Sequence, residues 1–163
     1  MNTNRFIYRD SKGGVSICEP ALGRVVGSFL QGFDGQAWRT FVLDRIAEEC
    51  PHGEECEDRV EHWRSSDEPI PSATPTDTGL RVAFVDFPDD ELELMEDEAH
   101  ARGAAPTVPH AGDLDILCVY GELTPTRFRV NDHIMATLDR NVLILSQDDL
   151  QWLLDFGEIR DHD

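Results

Sequence analysis

A chain of 163 residues with 40% apolar content suffices for one domain or two small ones, and no apolar run approaches the length of a membrane span. The formal charge of -19 disfavours nucleic acid over most of the surface and favours basic partners or simple solubility. Met1–Arg5 lacks the apolar core of a signal peptide, so the cytoplasm is the expected compartment, and four irregularly spaced cysteines fit reduced thiols better than a disulfide framework.

The charge is unevenly spread. Residues 1–49 balance six Lys/Arg against six Asp/Glu, whereas residues 50–163 set eight Arg against 27 acids. An acidic partner surface, a DNA-like decoy and adaptation to high salt all predict such a count.

Arg5–Arg9 reads as a strand, with turn chemistry at Asp10–Gly14 leading into alternating Val15–Cys18. Arg24–Phe33 reads as the next strand, its glycines marking bends or close approach. Asp34–Gln36 turns the chain into a fourth strand, Trp38–Ile46, which alternation divides into Arg39, Phe41, Leu43 and Arg45 on one face and Trp38, Thr40, Val42 and Asp44 on the other. Four short strands with tight turns predict a small barrel or curled sheet. Residues 47–64 read as a short helical segment interrupted at Pro51-His52-Gly53.

Residues 65–79, rich in Pro, Ser and Thr, read as a semi-extended linker. The expected domains are therefore 1–64 and 80–163. In the second, Leu80–Phe87 is almost continuously apolar, as in a strand covered on both faces. A helix follows from Pro88, with Leu92, Met95 and Ala99 as its buried stripe and Gly103 at its end. Residues 105–108, 114–120 and 142–145 read as strands. Thr124-Pro125 opens a helix carrying Phe128, Met135 and Leu138, and Ser146 with Asp149 caps a last helix burying Leu150, Leu153 and Leu154. The order β-α-β-β-α-β-α predicts a largely parallel four-stranded sheet flanked by helices.

Two resemblances arise from these stretches. Ile7-Tyr8-Arg9-Asp10 before a glycine turn, Glu19-Pro20, and above all Trp38–Ile46 resemble a WYL domain over residues 5–49, with Ser28-Phe29-Leu30 standing where Trp-Tyr-Leu would be. The resemblance implies an SH3-like β-barrel that senses a nucleic-acid or nucleotide ligand, with Arg9, Arg24, Arg39, Arg45 and Phe29 at the pocket. Ala101-Arg102-Gly103, Asp113–Val119, Thr124–Arg127 and Ile144-Leu145-Ser146 resemble a BRCT domain of the bacterial DNA-ligase type over residues 80–157. That implies an α/β domain that docks a protein partner. Phosphate-holding members carry Ser/Thr-Gly after the first strand and a basic residue at the second helix. Arg127 falls near the basic position, but Val85-Asp86 replaces the pair, so no phosphate pocket is expected.

Arg39 and Arg45 lie six residues apart, roughly 20 Å along a straight strand, too far to clamp one phosphate. Arg45 reads equally well as an ion-pair partner of Asp44, Glu48 or Glu49, and Arg39, with Arg9 and Arg24 nearby, is the better anion contact. Cys50, His52, Cys56 and His62 are metal-ligand types, but Cys-x5-Cys is not a zinc knuckle, and half-buried thiols are the simpler account. The acids of 89–98 read as a solvated helix face. With no phosphate loop or nucleophile arrangement, a non-enzymatic, cofactor-free protein is expected, and the two resemblances imply a binding or scaffold role in bacterial DNA metabolism or its regulation. Single-stranded nucleic acid or a nucleotide would meet the barrel and a protein partner the acidic domain, with no role for a membrane. The alternative is an acidic inhibitor occupying a nucleic-acid site on another protein.

Overall fold

Asp10 organises the first hairpin. Its Oδ1 accepts from the amides of Lys12 and Gly14, and its own amide donates to the Gly14 carbonyl. Gly13 supplies the positive φ of 86° that the turn requires. In this computed structural model, which describes residues 5–10, 12–35, 37–50, 53–70 and 80–157, the hairpin joins β1 (Phe6–Arg9) to β2 (Val15–Cys18).

The next stretch departs from the expected single strand. Gly27, at φ 57°, and Ser28 form a tight turn that splits it into β3 (Ala21–Val26) and β4 (Phe29–Asp34), with Val26 opposite Phe29. The fourth expected strand also divides. β5 (Ala37–Val42) ends in a 3-10 turn, Leu43–Arg45, and the chain resumes as β6 (Ile46–Glu49). The result is two antiparallel sheets, ordered β2-β1-β6 and β3-β4-β5. Residues 47–49 are thus strand rather than helix, and α1 begins only at Gly53, running to Arg64.

Two apolar clusters hold this part together. Phe6, Tyr8 and Phe41 meet edge-to-face with ring centroids 5.2–6.2 Å apart, each pair contributing about 1 kcal/mol beyond burial. On the other face of β1, Ile7 packs with Cys50, Cys56 and Val60, so α1 covers that face. Cys50 and Cys56 are joined by a disulfide, their Cα atoms 5.7 Å apart, which corrects the expectation of four reduced thiols. Cys18 and Cys118 are free and buried.

The described residues divide into two compact units, 5–70 and 80–157. In the second unit, β7 (Arg81–Val85), β8 (Ala105–Thr107), β9 (Ile116–Val119) and β10 (Leu143–Ser146) form the expected parallel sheet, ordered β8-β7-β9-β10. α2 (Asp89–Ala101) links β7 to β8 and buries Met95 and Ala99. α5 (Gln147–Phe156) buries Leu150 and Leu153 and starts on Ser146, whose hydroxyl accepts from the Asp149 amide. Arg102, just after α2, bonds the Leu154 carbonyl and Asp155, and Gln151 bonds Glu98, so α2 and α5 lie side by side.

The expected helix after Thr124 is two short ones, α3 (Pro125–Val130) and α4 (Asp132–Thr137). Asn131 closes the first and caps the second, its Oδ1 accepting from the Ile134 amide at 3.1 Å. The break rotates the second piece, so Ile134 is buried and Met135, expected in the core, is 47% exposed. The β7–β8 and β9–β10 connections step in opposite directions across the sheet, and right-handed crossovers then set α2 and the α3–α4 pair on opposite faces.

Candidate functional site

The arginines expected to share an anion pocket do not converge. Arg9 is buried, its Cζ 5.3 Å from the centre of the Trp63 ring and its Nη2 donating to the Glu68 carbonyl at 2.6 Å. It ties β1 to α1 and to the segment following it. Arg45 is buried in the 3-10 turn rather than on a strand with Arg39, which ends the expectation of one shared strand face. Arg24 donates to Gln31 Oε1 at 3.3 Å, and Gln31 Nε2 to Thr40 Oγ1 at 3.0 Å, a polar ladder across β3, β4 and β5. Phe29 is buried on the ladder's face of the sheet, opposite Val42. Arg39 lies opposite Gly32, half-buried, and its Nε is buried without a hydrogen-bond partner.

Cys50 and Cys56 are committed to their disulfide and are thereby removed as zinc ligands. His62 is exposed on α1, no group of three or more metal-ligand side chains gathers among the described residues, and His52 lies outside them.

In the second unit, Arg127 is neutralised from within. Its Nη2 donates to Asp86 Oδ2 at 3.0 Å, its Nη1 donates to the Glu122 carbonyl, and Asn131 Nδ2 donates to the same Asp86 oxygen at 2.9 Å. Asp86 holds this place at φ 66°, a conformation that costs a non-glycine residue about 1 kcal/mol or more. A carboxylate therefore fills the position at which an anion would meet Arg127.

What faces outward is acidic and, in places, aromatic. Residues 80–157 carry 16 Asp/Glu against five Arg. On α2, Asp89, Asp90, Glu93 and Asp97 are exposed around Leu94, itself 65% exposed. On α5, the rings of Trp152 and Phe156 meet tilted at 45° with centroids 4.5 Å apart and 36% and 63% of their surfaces open, beside exposed Asp148 and Asp155. The helical period that buries Leu150 and Leu153 already turns Trp152 and Phe156 outward, a signal the sequence reading passed over.

In the first unit, a groove of about 620 Å³ runs between β2 and α1, lined by Val15, Ser16, Ile17, Glu57, Asp58, Val60, Glu61 and Arg64. No local sequence pattern signals this groove, because its two walls are some 40 positions apart. Glu48, on β6, pairs bidentately with Arg59 of that helix at 2.7 and 3.0 Å, and the Arg59 hydrogen bond holds its carboxyl below the usual range.

No protein-family model, curated protein or solved structure matches this chain. No helix among the described residues is long and apolar enough to cross a membrane.

Proposed function

We propose that this chain is a non-enzymatic binding protein whose acidic second unit docks a basic protein partner, in the setting of bacterial DNA metabolism or its regulation. The observation that carries the reading is the exposed Trp152–Phe156 pair, its rings in contact, bordered by exposed Asp148. Exposed aromatics anchor interfaces through large rigid contact area, and their faces accept Lys or Arg while nearby carboxylates neutralise the charge. The BRCT-like reading of this unit draws support from the strand order β8-β7-β9-β10, with one helix between β7 and β8 and two short ones between β9 and β10. The SH3-like, WYL-like reading of the first unit draws support from two small antiparallel sheets sharing the Phe6–Tyr8–Phe41 core.

The test is affinity capture from a bacterial extract, with and without nuclease, using the intact chain and its Trp152→Ala/Phe156→Ala form. A basic protein retained after nuclease and lost with the double substitution is the expected result. Capture that persists in the substituted chain would sink the reading. Competition between the chain and DNA for the captured partner would turn docking into decoy inhibition.

Arg39 supports a second reading, a nucleic-acid or nucleotide contact on the first unit, because its Nε is buried without a hydrogen-bond partner. Binding of a short single-stranded oligonucleotide that weakens with salt and disappears in Arg39→Ala is its signature.

A further inference from the structure

The β2 edge adjoins the groove between β2 and α1. Among the described residues β2 pairs with β1 alone and lies at the end of its sheet. At the hairpin the Asp10 amide bonds the Gly14 carbonyl, and the register pairs Tyr8 with Ser16 and Phe6 with Cys18. Antiparallel ladders alternate, so these are the hydrogen-bonded pairs, and the backbone N–H and C=O of Val15 and Ile17 point away from β1. The side chains of the same two residues lie on the α1 face with Ile7 and line the groove, Ile17 with 39% of its surface exposed. An unpaired edge beside an open groove is the arrangement that accepts an added strand.

The groove's chemistry selects the strand. Across from β2 stand Glu57, Asp58 and Glu61, all exposed, while Arg64 is held by Glu61 at 2.7 Å. In an added strand, residues opposite Val15 and Ile17 would project onto the α1 face, and every second residue would meet these carboxylates. Long aliphatic stems with cationic ends fit both Ile17 and the acids. A second copy of this chain is a poor occupant, because each copy carries -19.

We propose that the β2–α1 groove binds an extended basic segment of another protein by strand addition, with Arg or Lys at alternate positions facing α1. The length of β2, four residues, sets a footprint of about 13 Å, or four to five residues of the added segment. This site is on the first unit and stands independently of the aromatic pair on α5.

The probe is a fluorescein-labelled decapeptide alternating Arg with Thr, titrated by anisotropy against the intact chain, with amide hydrogen exchange as a second readout. Three results are expected: saturable binding that weakens with salt; about tenfold loss on N-methylating the backbone at alternate positions, or in Glu57→Gln/Glu61→Gln; and slowed exchange at the Val15 and Ile17 amides. The two glutamates are exposed, so the double substitution leaves the core intact. Binding that is indifferent to both N-methylation and the glutamine substitutions would overturn the proposal, as would protection elsewhere with none at Val15 and Ile17, or no binding at all.

Discussion

The phenol oxygen of Tyr8 accepts a hydrogen bond from the backbone amide of Val42 at 2.9 Å, between residues 34 positions apart. Val42 is the last residue of β5, and beyond it the chain leaves one sheet for the other. Tyr8 is fully buried, so the bond satisfies an amide at the seam between the sheets where water does not reach. Tyr8→Phe keeps the ring contacts and strands that N–H. The expected cost is about 1–3 kcal/mol, seen as a lower urea midpoint with an unchanged slope.

Arg9 is a structural residue in this fold. Arg9→Ala removes a buried side chain that stacks on Trp63 and donates to the Glu68 carbonyl. A loss of about 2–3 kcal/mol is expected from the charged hydrogen bond and the ring contact together. Arg9→Lys would recover only part of it, because the ammonium lacks the flat face. Denaturation of both variants, with oligonucleotide binding measured alongside, separates this role from a ligand role. Binding lost without loss of stability would contradict it.

The cysteines make a counting experiment. Burial pushes the Cys18 and Cys118 thiols up, so at pH 8 little reactive thiolate forms at either. Intact-mass measurement after iodoacetamide is expected to show no adduct on the native protein, two on the unfolded protein, and four after unfolding with reduction. Four adducts without reductant would exclude the Cys50–Cys56 bond.

Glu48 gives a pH dependence of known sign. Arg59 holds its carboxyl below the usual glutamate value, so the folded state binds this proton less readily than the unfolded one. The stabilisation is therefore present above the unfolded pKa of about 4.3 and is lost as pH falls through the lower folded value. The Glu48–Arg59 pair is partly exposed, so the effect is small and screened by salt. Comparing the native chain with Glu48→Gln by urea denaturation, a midpoint difference at pH 7 that closes by pH 3 is expected.

Much of the architecture was legible in local patterns. Asp10 and its glycines named the first hairpin, and the apolar run Leu80–Phe87 named a strand buried on both faces. Ser146 and Thr124-Pro125 marked helix starts; the Ser146 hydroxyl accepts the Asp149 amide as expected, and the Thr124 hydroxyl accepts that of Arg127. Such features are readable because they depend on residues within a few positions of one another. Alternation also put Phe41 and Arg39 on one face of β5, where the register keeps them.

The errors share a physical reason. Nothing in Trp38–Ile46 disfavours a continuous strand, and it breaks at Val42 because Tyr8 and Ser28 receive the amides of Val42 and Leu43 there. Asn131 reads as an ordinary helix residue until its side chain bonds Asp86 and caps α4. Cys50 and Cys56 bridge because β6 and α1 bring their Cα atoms within 5.7 Å, a distance that spacing in sequence does not determine. The sequence by itself determined the acidity, the four strands of the second unit and their parallel sense, all of which follow from composition and short-range periodicity. Only the tertiary structure decided which charges are consumed. It buried Arg9 and Arg45, answered Arg127 with Asp86, and left the carboxylates of α1 facing an open strand edge. Burial and pairing depend on partners tens of residues away.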